Sequence, residues 1–170
     1  MAEDLSRNDT NTGPSDGQPP LTVNAQYIKD LSFEAPKAPL IFSAMKQDEP
    51  DVNINVSVNS AELKDEVYIE HNIYEVVLGI EATCTVAGET AFLLELEYAG
   101  LFTLNVDSES RNPVLLIECP RLLFPFARNI LADISREGGF PPLMLGPMDF
   151  AGMYHQQISA INSEGAPDPI

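Results

Sequence analysis

Apolar and polar side chains alternate most regularly between Gly88 and Leu104, where acidic residues separate the apolar ones. Successive side chains of an extended chain point to opposite faces, so this pattern predicts a strand with one apolar face and one acidic face. Glu95 and Glu97 lie on the acidic face. The apolar face carries Phe92, Leu94, Leu96, Tyr98, Phe102 and Leu104. A strand that is apolar on one side is typical of an antiparallel sheet with one solvated face.

Three more segments show the same period of two, and they predict strands at residues 21–36, 51–59 and 72–86. A long loop between Pro36 and Pro50 should follow the first strand, whereas a tight glycine turn should join the last two. Short links after the second strand favour an antiparallel meander. In the first strand the pattern places on the apolar side Val23, Ala25, Tyr27, Leu31 and Phe33.

Beyond Leu104 the period changes from that of a strand to that of a helix. After a polar link at residues 105–112, apolar residues recur at helical spacing over 120–134, and we expect Pro125 in the first turn or at a kink. A second, shorter helix is predicted over residues 150–161, behind a proline-rich apolar connector. The chain is therefore predicted to have an α+β fold, with a four-stranded antiparallel sheet and two helices packed on one face.

The two ends of the chain differ in composition from its middle. Residues 1–20 are mostly polar, so ordering them would cost conformational entropy without burying apolar surface. We expect a disordered acidic and polar tail at residues 1–20, one folded domain over residues 21–160 and a flexible tail at residues 161–170.

The charge of the chain is strongly negative, with 26 acidic and 9 basic residues and a formal net charge of −17 at pH 7. This charge opposes binding to nucleic acid and to anionic membranes. Alternation places Lys29 on the apolar side of the sheet. The acidic face either keeps the protein in solution or binds a basic protein partner, and its lack of interspersed lysines supports the partner without deciding between the two. The acids that alternation places on the solvated face are Asp30, Glu34, Glu75, Glu81, Glu95 and Glu97.

Residues with catalytic or metal-binding chemistry are few and scattered. Cys84 and Cys119 form no CxxC motif, and His71 and His155 lie far apart without the other ligands of a metal site. The acids point outward by alternation, whereas a carboxylate tuned for acid–base catalysis is usually buried. We therefore expect no enzymatic activity, cofactor or metal. With no signal-peptide pattern and no apolar run near the ~20 residues of a membrane span, we expect a cytoplasmic protein.

Apolar residues also occur in two segments that otherwise read as loops, at residues 40–42 and 140–145. They either cover the ends of a small core or form an exposed groove or a subunit contact. One sheet with two helices would also leave part of its apolar face uncovered, and self-association would cover it.

Five motifs keep a common order along the chain, at residues 27–36, 74–78, 89–93, 118–128 and 140–150. Together they resemble the SecB family of bacterial protein-export chaperones, and the resemblance extends over about residues 21 to 155. One of the two longest motifs, at residues 118–128, reads Glu-Cys-Pro-Arg-Leu-Leu-Phe-Pro-Phe-Ala-Arg. Residues 66–72 form a longer link than is usual in the family.

The resemblance implies a homotetramer, built as a dimer of dimers, that holds unfolded precursor proteins in the cytosol and passes them to the translocation ATPase SecA. It implies no enzymatic activity. In this family the acidic sheet face receives the basic, zinc-bearing tail of SecA, so the zinc belongs to the partner. The matching SecA-binding positions here are Asp30, Glu34, Leu93 and Glu95.

The family binds its clients in hydrophobic grooves beside the crossover loop and the connector. A broad groove of this kind binds many unfolded chains without reading their sequence. An alternative function is that of a non-enzymatic carrier of a lipid or a small hydrophobic ligand. For subunit contacts we expect the first helix and the even face of the fourth strand, at Leu94, Leu96 and Tyr98. The matching client-binding positions are Phe42, Val52, Ile54, Val56, Phe140, Leu143 and Leu145.

Overall fold

The computed structural model describes residues 17–164 of the chain. The tails expected at residues 1–20 and 161–170 therefore lie largely outside the described residues. The strands are β1 Leu21–Glu34, β2 Asp51–Glu62, β3 Ile73–Val86 and β4 Glu89–Leu104. They form one antiparallel sheet with the spatial order β1–β4–β3–β2, so the predicted four-stranded antiparallel sheet is confirmed.

The predicted meander is correct for β2, β3 and β4 but wrong for β1. β1 pairs with β4, so residues 35–50 cross from one edge of the sheet to the other. The result is a Greek-key arrangement in which β1 and β2 are both edge strands. Alternation indicates which side chains share a face, but it does not specify which strand is the neighbour. The crossover contains a short helix, α1, at Ile41–Ala44.

Two bulges in β1 change the faces predicted for the residues between them. Register shifts lie between Val23 and Ala25 and between Ile28 and Asp30, and each leaves one residue of β1 unpaired. Ala25 and Tyr27 consequently pair with odd-numbered residues of β4 and lie on the outer face of the sheet. Their predicted place on the apolar face is therefore wrong, whereas the second half of β1 keeps its predicted faces.

The helical part of the chain begins earlier than predicted. The remaining helices are α2 Glu66–Glu70, α3 Ser108–Pro113, a π-helical turn Val114–Glu118, α4 Cys119–Glu137 and α5 Phe150–Glu164. The expected polar link contains the start of α3, because Asp107 Oδ1 accepts a hydrogen bond from Ser110 N at 2.8 Å and caps the helix. Pro125 lies inside α4 rather than in its first turn. None of the described helices is long and apolar enough to cross a membrane.

Residues 66–72, the link that we expected to depart from the pattern of the resembled family, fold as a single helical turn. Asp65 caps α2 by accepting a hydrogen bond from Val67 N at 3.0 Å. Asn72 follows with a φ of 51°, a left-handed conformation that Asn adopts more readily than most residues. His71 Nδ1 lies 2.7 Å from Val67 O, so its ring closes the turn. β3 then begins at Ile73, close to its predicted start.

The core lies between α4 and the inner face of β3 and β4. Leu123, Ala127 and Leu131 of α4 are fully buried there, together with even-numbered residues of both strands. Gly100 allows the close approach of the helix, because a Cβ at this position would lie 2.7 Å from the Phe102 ring and 2.9 Å from Leu123. Each large apolar side chain buried in this layer contributes about 1.5–3 kcal/mol.

One buried serine and one aromatic cluster hold the connector between α4 and α5. Ser135 Oγ donates a hydrogen bond to Leu131 O and accepts one from Leu143 N, both at 2.8 Å, which ties the connector to α4. α5 contacts the π-helical turn. The Phe140 ring lies 5.0 to 6.2 Å from the rings of Phe33, Phe42 and Phe92.

Candidate partner-binding face and apolar surfaces

The pairing of β1 with β4 brings the four predicted partner-binding residues together on the outer face of the sheet. Glu34 lies opposite Leu93, and Asp30 lies opposite Glu97. Glu95 lies between these two pairs along β4. Asp30, Glu34, Leu93 and Glu95 are therefore close neighbours on two adjacent strands. Leu93 is 36% exposed, so it offers an apolar contact within an acidic surface.

The acids of this face lie opposite one another without compensating bases. Asp30 faces Glu97 across β1 and β4, and Glu81 faces Glu95 across β3 and β4. Within the described part of the chain, none of these four carboxylates forms an ion pair. Like charges directly opposite each other destabilise a sheet. The resulting negative potential favours a partner that carries positive charge.

A shallow depression of about 100 Å³ lies among these acids. Gly79 keeps it open, because a Cβ there would lie 2.6 Å from Ser57 Oγ. Carboxylates from three strands converge on this space, which suits the head of a lysine or arginine side chain. The described residues contain no group of three or more His, Cys, Asp or Glu side chains that could hold a metal ion. The depression is lined by Asp30, Asn55, Ser57, Gly79, Glu81, Glu95 and Glu97, with Ile80 and Leu96.

Lys29 lies on the same outer face as the acids, so its predicted place on the apolar side is wrong. It occupies the bulge between Ile28 and Asp30. Its Nζ atom is 2.7 Å from Glu75 Oε2, and the Tyr27 hydroxyl donates a hydrogen bond to Glu75 Oε1. Both oxygens of Glu75 are therefore bonded, and only 9% of this residue is exposed. We call this cluster the Lys29–Glu75–Tyr27 triad.

The triad shifts the pKa values of two of its members. Burial raises the pKa of Glu75, but the hydrogen bonds from Lys29 and Tyr27 outweigh this effect and hold the pKa below its ordinary value. Burial and the hydrogen bond to the Glu75 carboxylate raise the pKa of Tyr27 to about 12. At neutral pH Glu75 is therefore anionic and Tyr27 is neutral.

The seven predicted client-binding positions differ in exposure. Val52 and Ile54 of the edge strand β2 are 38% and 37% exposed on the inner face of the sheet. Phe140 and Leu145 are buried in the core of the chain. The exposed part of the predicted groove is therefore the first half of β2. The other three positions are intermediate in exposure: Phe42, Val56 and Leu143.

The predicted subunit-contact residues Leu94, Leu96 and Tyr98 lie in the core of the chain itself. Leu94 is completely buried, because α4 covers the inner face of β4. An apolar strand face has the same alternation whether a helix of its own chain or another subunit covers it, so the sequence pattern could not distinguish the two. These three side chains are therefore not available to a second subunit while α4 is in place.

An exposed apolar surface lies beside them, on β1 and on the first predicted helix, which sequence reasoning named as a subunit contact without naming its residues. Leu122 and Phe126 on α4 are 42% and 52% exposed, and Ile28 on β1 is 47% exposed. The surface is continuous with the core, since the Phe126 ring stacks on the Tyr98 ring at 6.3 Å and Ile28 lies opposite Tyr98. The available signal was the four-residue spacing of Leu122 and Phe126, which places both on one face of a helix.

Comparisons with known proteins identify relatives over most of the chain. A family model described as preprotein translocase subunit SecB matches residues 14–160. The protein-export protein SecB of Granulibacter bethesdensis is 52% identical over 159 residues, which cover 89% of this chain and 90% of that protein. The protein-export protein SecB of Paramagnetospirillum magneticum is 50% identical over 151 residues, which cover 89% of this chain and 94% of that protein.

A solved structure shares the fold at low sequence identity. It is a SecB-like chaperone of Mycobacterium tuberculosis in complex with a ChAD peptide from an antitoxin. The TM-score is 0.57 at 13% identity, and the match covers 76% of this chain and 91% of that chain. At this identity the likeness concerns the fold alone.

Proposed function

This chain belongs to the SecB family of protein-export chaperones, and we propose that it binds unfolded precursor proteins in the cytoplasm and delivers them to the translocation ATPase SecA. The observation that carries the SecA part is the set of unpaired carboxylates that face each other on the outer side of the sheet. Such a surface costs stability in isolation. A basic partner segment relieves that cost when it binds.

The basic tail of SecA docks on Asp30, Glu34, Leu93 and Glu95. Leu93 supplies an apolar contact opposite Glu34, at one end of the site, and the carboxylates supply charge-assisted hydrogen bonds to lysine and arginine side chains. Charge attraction also raises the rate of encounter, so this binding weakens as salt increases.

Clients bind along the exposed inner side of β2. Val52 and Ile54 present apolar side chains at a sheet edge whose backbone groups have no further strand to pair with among the described residues. An extended polypeptide can cover the apolar side chains of β2 with its own and can pair its free backbone groups with those of the strand edge. Phe42, Val56 and Leu143 border this surface in our proposal. Phe140 and Leu145 are buried in the core and pack beneath this client-binding surface in our proposal.

The chain assembles as a homotetramer, a dimer of dimers, and we assign a subunit contact to the exposed apolar surface of Ile28, Leu122 and Phe126. These side chains form a continuous patch with the buried Tyr98 ring. A contiguous apolar patch at a sheet edge is typical of a protein–protein contact. This assignment replaces the contact through Leu94, Leu96 and Tyr98.

Glu95→Lys tests the proposed function most directly. The substitution places a cation at the centre of the acidic face, so we expect the affinity for SecA to fall by at least about tenfold. Retention of a slowly folding, reduced precursor should stay unchanged, because Glu95 points away from the inner side of the sheet. Isothermal titration with SecA and an aggregation assay with the precursor measure the two activities separately.

Glu70→Lys is the matched control, since it makes the same charge change at an exposed acid of α2 outside the sheet. It should leave SecA binding close to that of the wild type. Equal SecA affinity in the Glu95→Lys protein would refute the docking site. Co-purified lipid without any retention of unfolded protein would instead favour the alternative function of a hydrophobic-ligand carrier.

A further inference from the structure

Lys29 is the only basic residue in the four strands of the described chain, and it lies at the border of the acidic face. Its backbone is in the bulge next to Asp30, which pairs with Glu97. A free lysine at this position would reach the nearby carboxylates and compete with any basic partner. The position of its ammonium group therefore matters for docking.

Glu75 draws this ammonium group away from the acids. Glu75 lies opposite Leu101, four residues along β4 from Glu97, which corresponds to about 14 Å of extended strand. The Lys29 Nζ atom is bonded to Glu75 Oε2 at 2.7 Å, so the side chain points toward the Leu101 end of the sheet. The long side chain of Lys29 is thus held in a single direction, although 43% of it is exposed.

Tyr27 fixes the carboxylate that receives the lysine. Its hydroxyl donates a hydrogen bond to Glu75 Oε1, and it lies opposite Ala99, between the acidic end of β4 and Leu101. With both oxygens bonded and the side chain largely buried, the Glu75 carboxylate has little freedom to turn toward solvent. Glu75 therefore offers the lysine one fixed site.

We propose that Glu75 sequesters the positive charge of Lys29, so that a basic partner segment meets the acidic face without a competing cation from the chain itself. Glu75 is in this sense a positioning residue that acts through Lys29. The inference rests on the proposed docking of a lysine- and arginine-rich segment at this face. It adds that the affinity of the docking carboxylates depends on Glu75, which lies on the same side of the sheet but opposite Leu101, four residues along β4 from Glu97.

A double-mutant cycle with Glu75→Gln and Lys29→Met tests the inference, with SecA and a synthetic lysine-rich peptide as ligands. Gln keeps the shape of Glu75 and an acceptor for Tyr27, and Met keeps the apolar stem of lysine. Glu75→Gln should weaken both ligands about three- to tenfold, because the released ammonium moves to Asp30 and Glu97. Lys29→Met should bind at least as well as the wild type.

The double variant decides between sequestration and a structural role. If Glu75 acts by holding Lys29, removal of the lysine restores binding to the level of Lys29→Met. If Glu75 only supports the fold of the face, the double variant stays as weak as Glu75→Gln, and the inference is wrong. Should Glu75→Gln fail to fold, Glu75→Asp replaces it, since the shorter side chain also loses the lysine and is expected to show the same rescue.

The same measurements separate this inference from the proposed function. If Glu95→Lys weakens binding but Glu75→Gln binds like the wild type, the sequestration of Lys29 is refuted. The docking site is not refuted by that result. A wild-type chain that binds neither SecA nor the peptide would refute both.

Discussion

The two edge strands of the sheet differ in how well they are protected against pairing with another chain. β1 carries two bulges within 14 residues, and its second half is lined on the outer side by Asp30 and Glu34. β2 pairs with β3 through all 12 of its residues without a register shift, and its outer side carries mostly Asn and Ser. Bulges and charges discourage other chains from pairing with an edge strand, whereas a regular edge with exposed Val52 and Ile54 has neither protection.

The difference indicates that the two edges serve different partners. A regular, half-exposed edge is the part of a sheet best suited to an extended chain, because both side chains and backbone are available. A bent, charged edge suits a partner recognised by charge. We therefore propose that clients bind at the inner side of β2 and that SecA binds at the outer side of β1 and β4, on opposite faces of one sheet.

The largest expected effect comes from placing an aspartate in the buried centre of the inner face, and we compare it with an aspartate at the exposed border of that face near β1. Leu94→Asp places a carboxylate where no surface is exposed, at a cost of several kcal/mol, against a typical domain stability of about 5–15 kcal/mol. We expect this chain to unfold or aggregate. Phe126→Asp, at a position that is 52% exposed, should stay folded but show a lower mass by light scattering.

If the Leu94→Asp chain stays folded and its assembly has a lower mass, the subunit contact lies on the even face of β4. An unchanged mass for Phe126→Asp would exclude the exposed surface of Ile28, Leu122 and Phe126 as that contact. Circular dichroism on both variants establishes whether the chain is folded.

A smaller effect is expected at the β2 edge, and it tests the client assignment. The double substitution Val52→Asp and Ile54→Asp replaces two exposed apolar contacts with charges, so we expect client affinity to fall on the order of tenfold or more. The control is Asn53→Asp with Asn59→Asp, which adds the same two charges to the outer side of the same strand. An equal loss in both proteins would show that net charge, and not the apolar edge, governs client binding.

The sequence predicted those parts of the fold that depend on one strand or helix at a time. β2 and β4 were found because their alternation is unbroken, and the acids of β3 and β4 were assigned to the correct face for the same reason. Glu75 was nevertheless expected to be solvated on that face, whereas it is buried. Lys29 and Tyr27 were misplaced because a bulge inserts one residue, and the residue types around it do not reveal the insertion. Each such insertion exchanges the faces of every residue on one side of it.

Properties that depend on two distant segments were not predictable in this way. The pairing of β1 with β4 depends on the direction of the crossover at residues 35–50. The alternation of apolar and polar residues does not indicate that direction. The burial of Leu94 depends on where α4 lies, since the strand alone would look the same on a subunit interface. The grouping of Asp30, Glu34, Leu93 and Glu95 came from the family resemblance, and the pairing of β1 with β4 gives its physical basis.

The smallest expected effect concerns the pH dependence of stability, which tests the triad at the β1 edge. The pKa of Glu75 is lower in the folded chain, so its contribution is present above the ordinary carboxyl pKa and is lost as pH falls through the folded value. The pKa of Tyr27 is raised to about 12, so its contribution is present below pH ~10 and is lost between there and about 12.

Urea unfolding across the pH range measures the free energy of unfolding where the Glu75 contribution is lost, at acidic pH, and where the Tyr27 contribution is lost, at alkaline pH. Glu75→Gln should be less stable than the wild type near neutral pH, and the difference should shrink as the solution becomes acidic. Tyr27→Phe should reduce the loss of stability on the alkaline side but not abolish it, because burial also raises the pKa values of Tyr98, Cys84 and Cys119. Parallel stability curves for wild type and Glu75→Gln from neutral to acidic pH would mean that the carboxylate is not held in its charged form. In that case Lys29 would be free to approach the acids, and β1 would lose the feature that keeps its charged edge open to a partner.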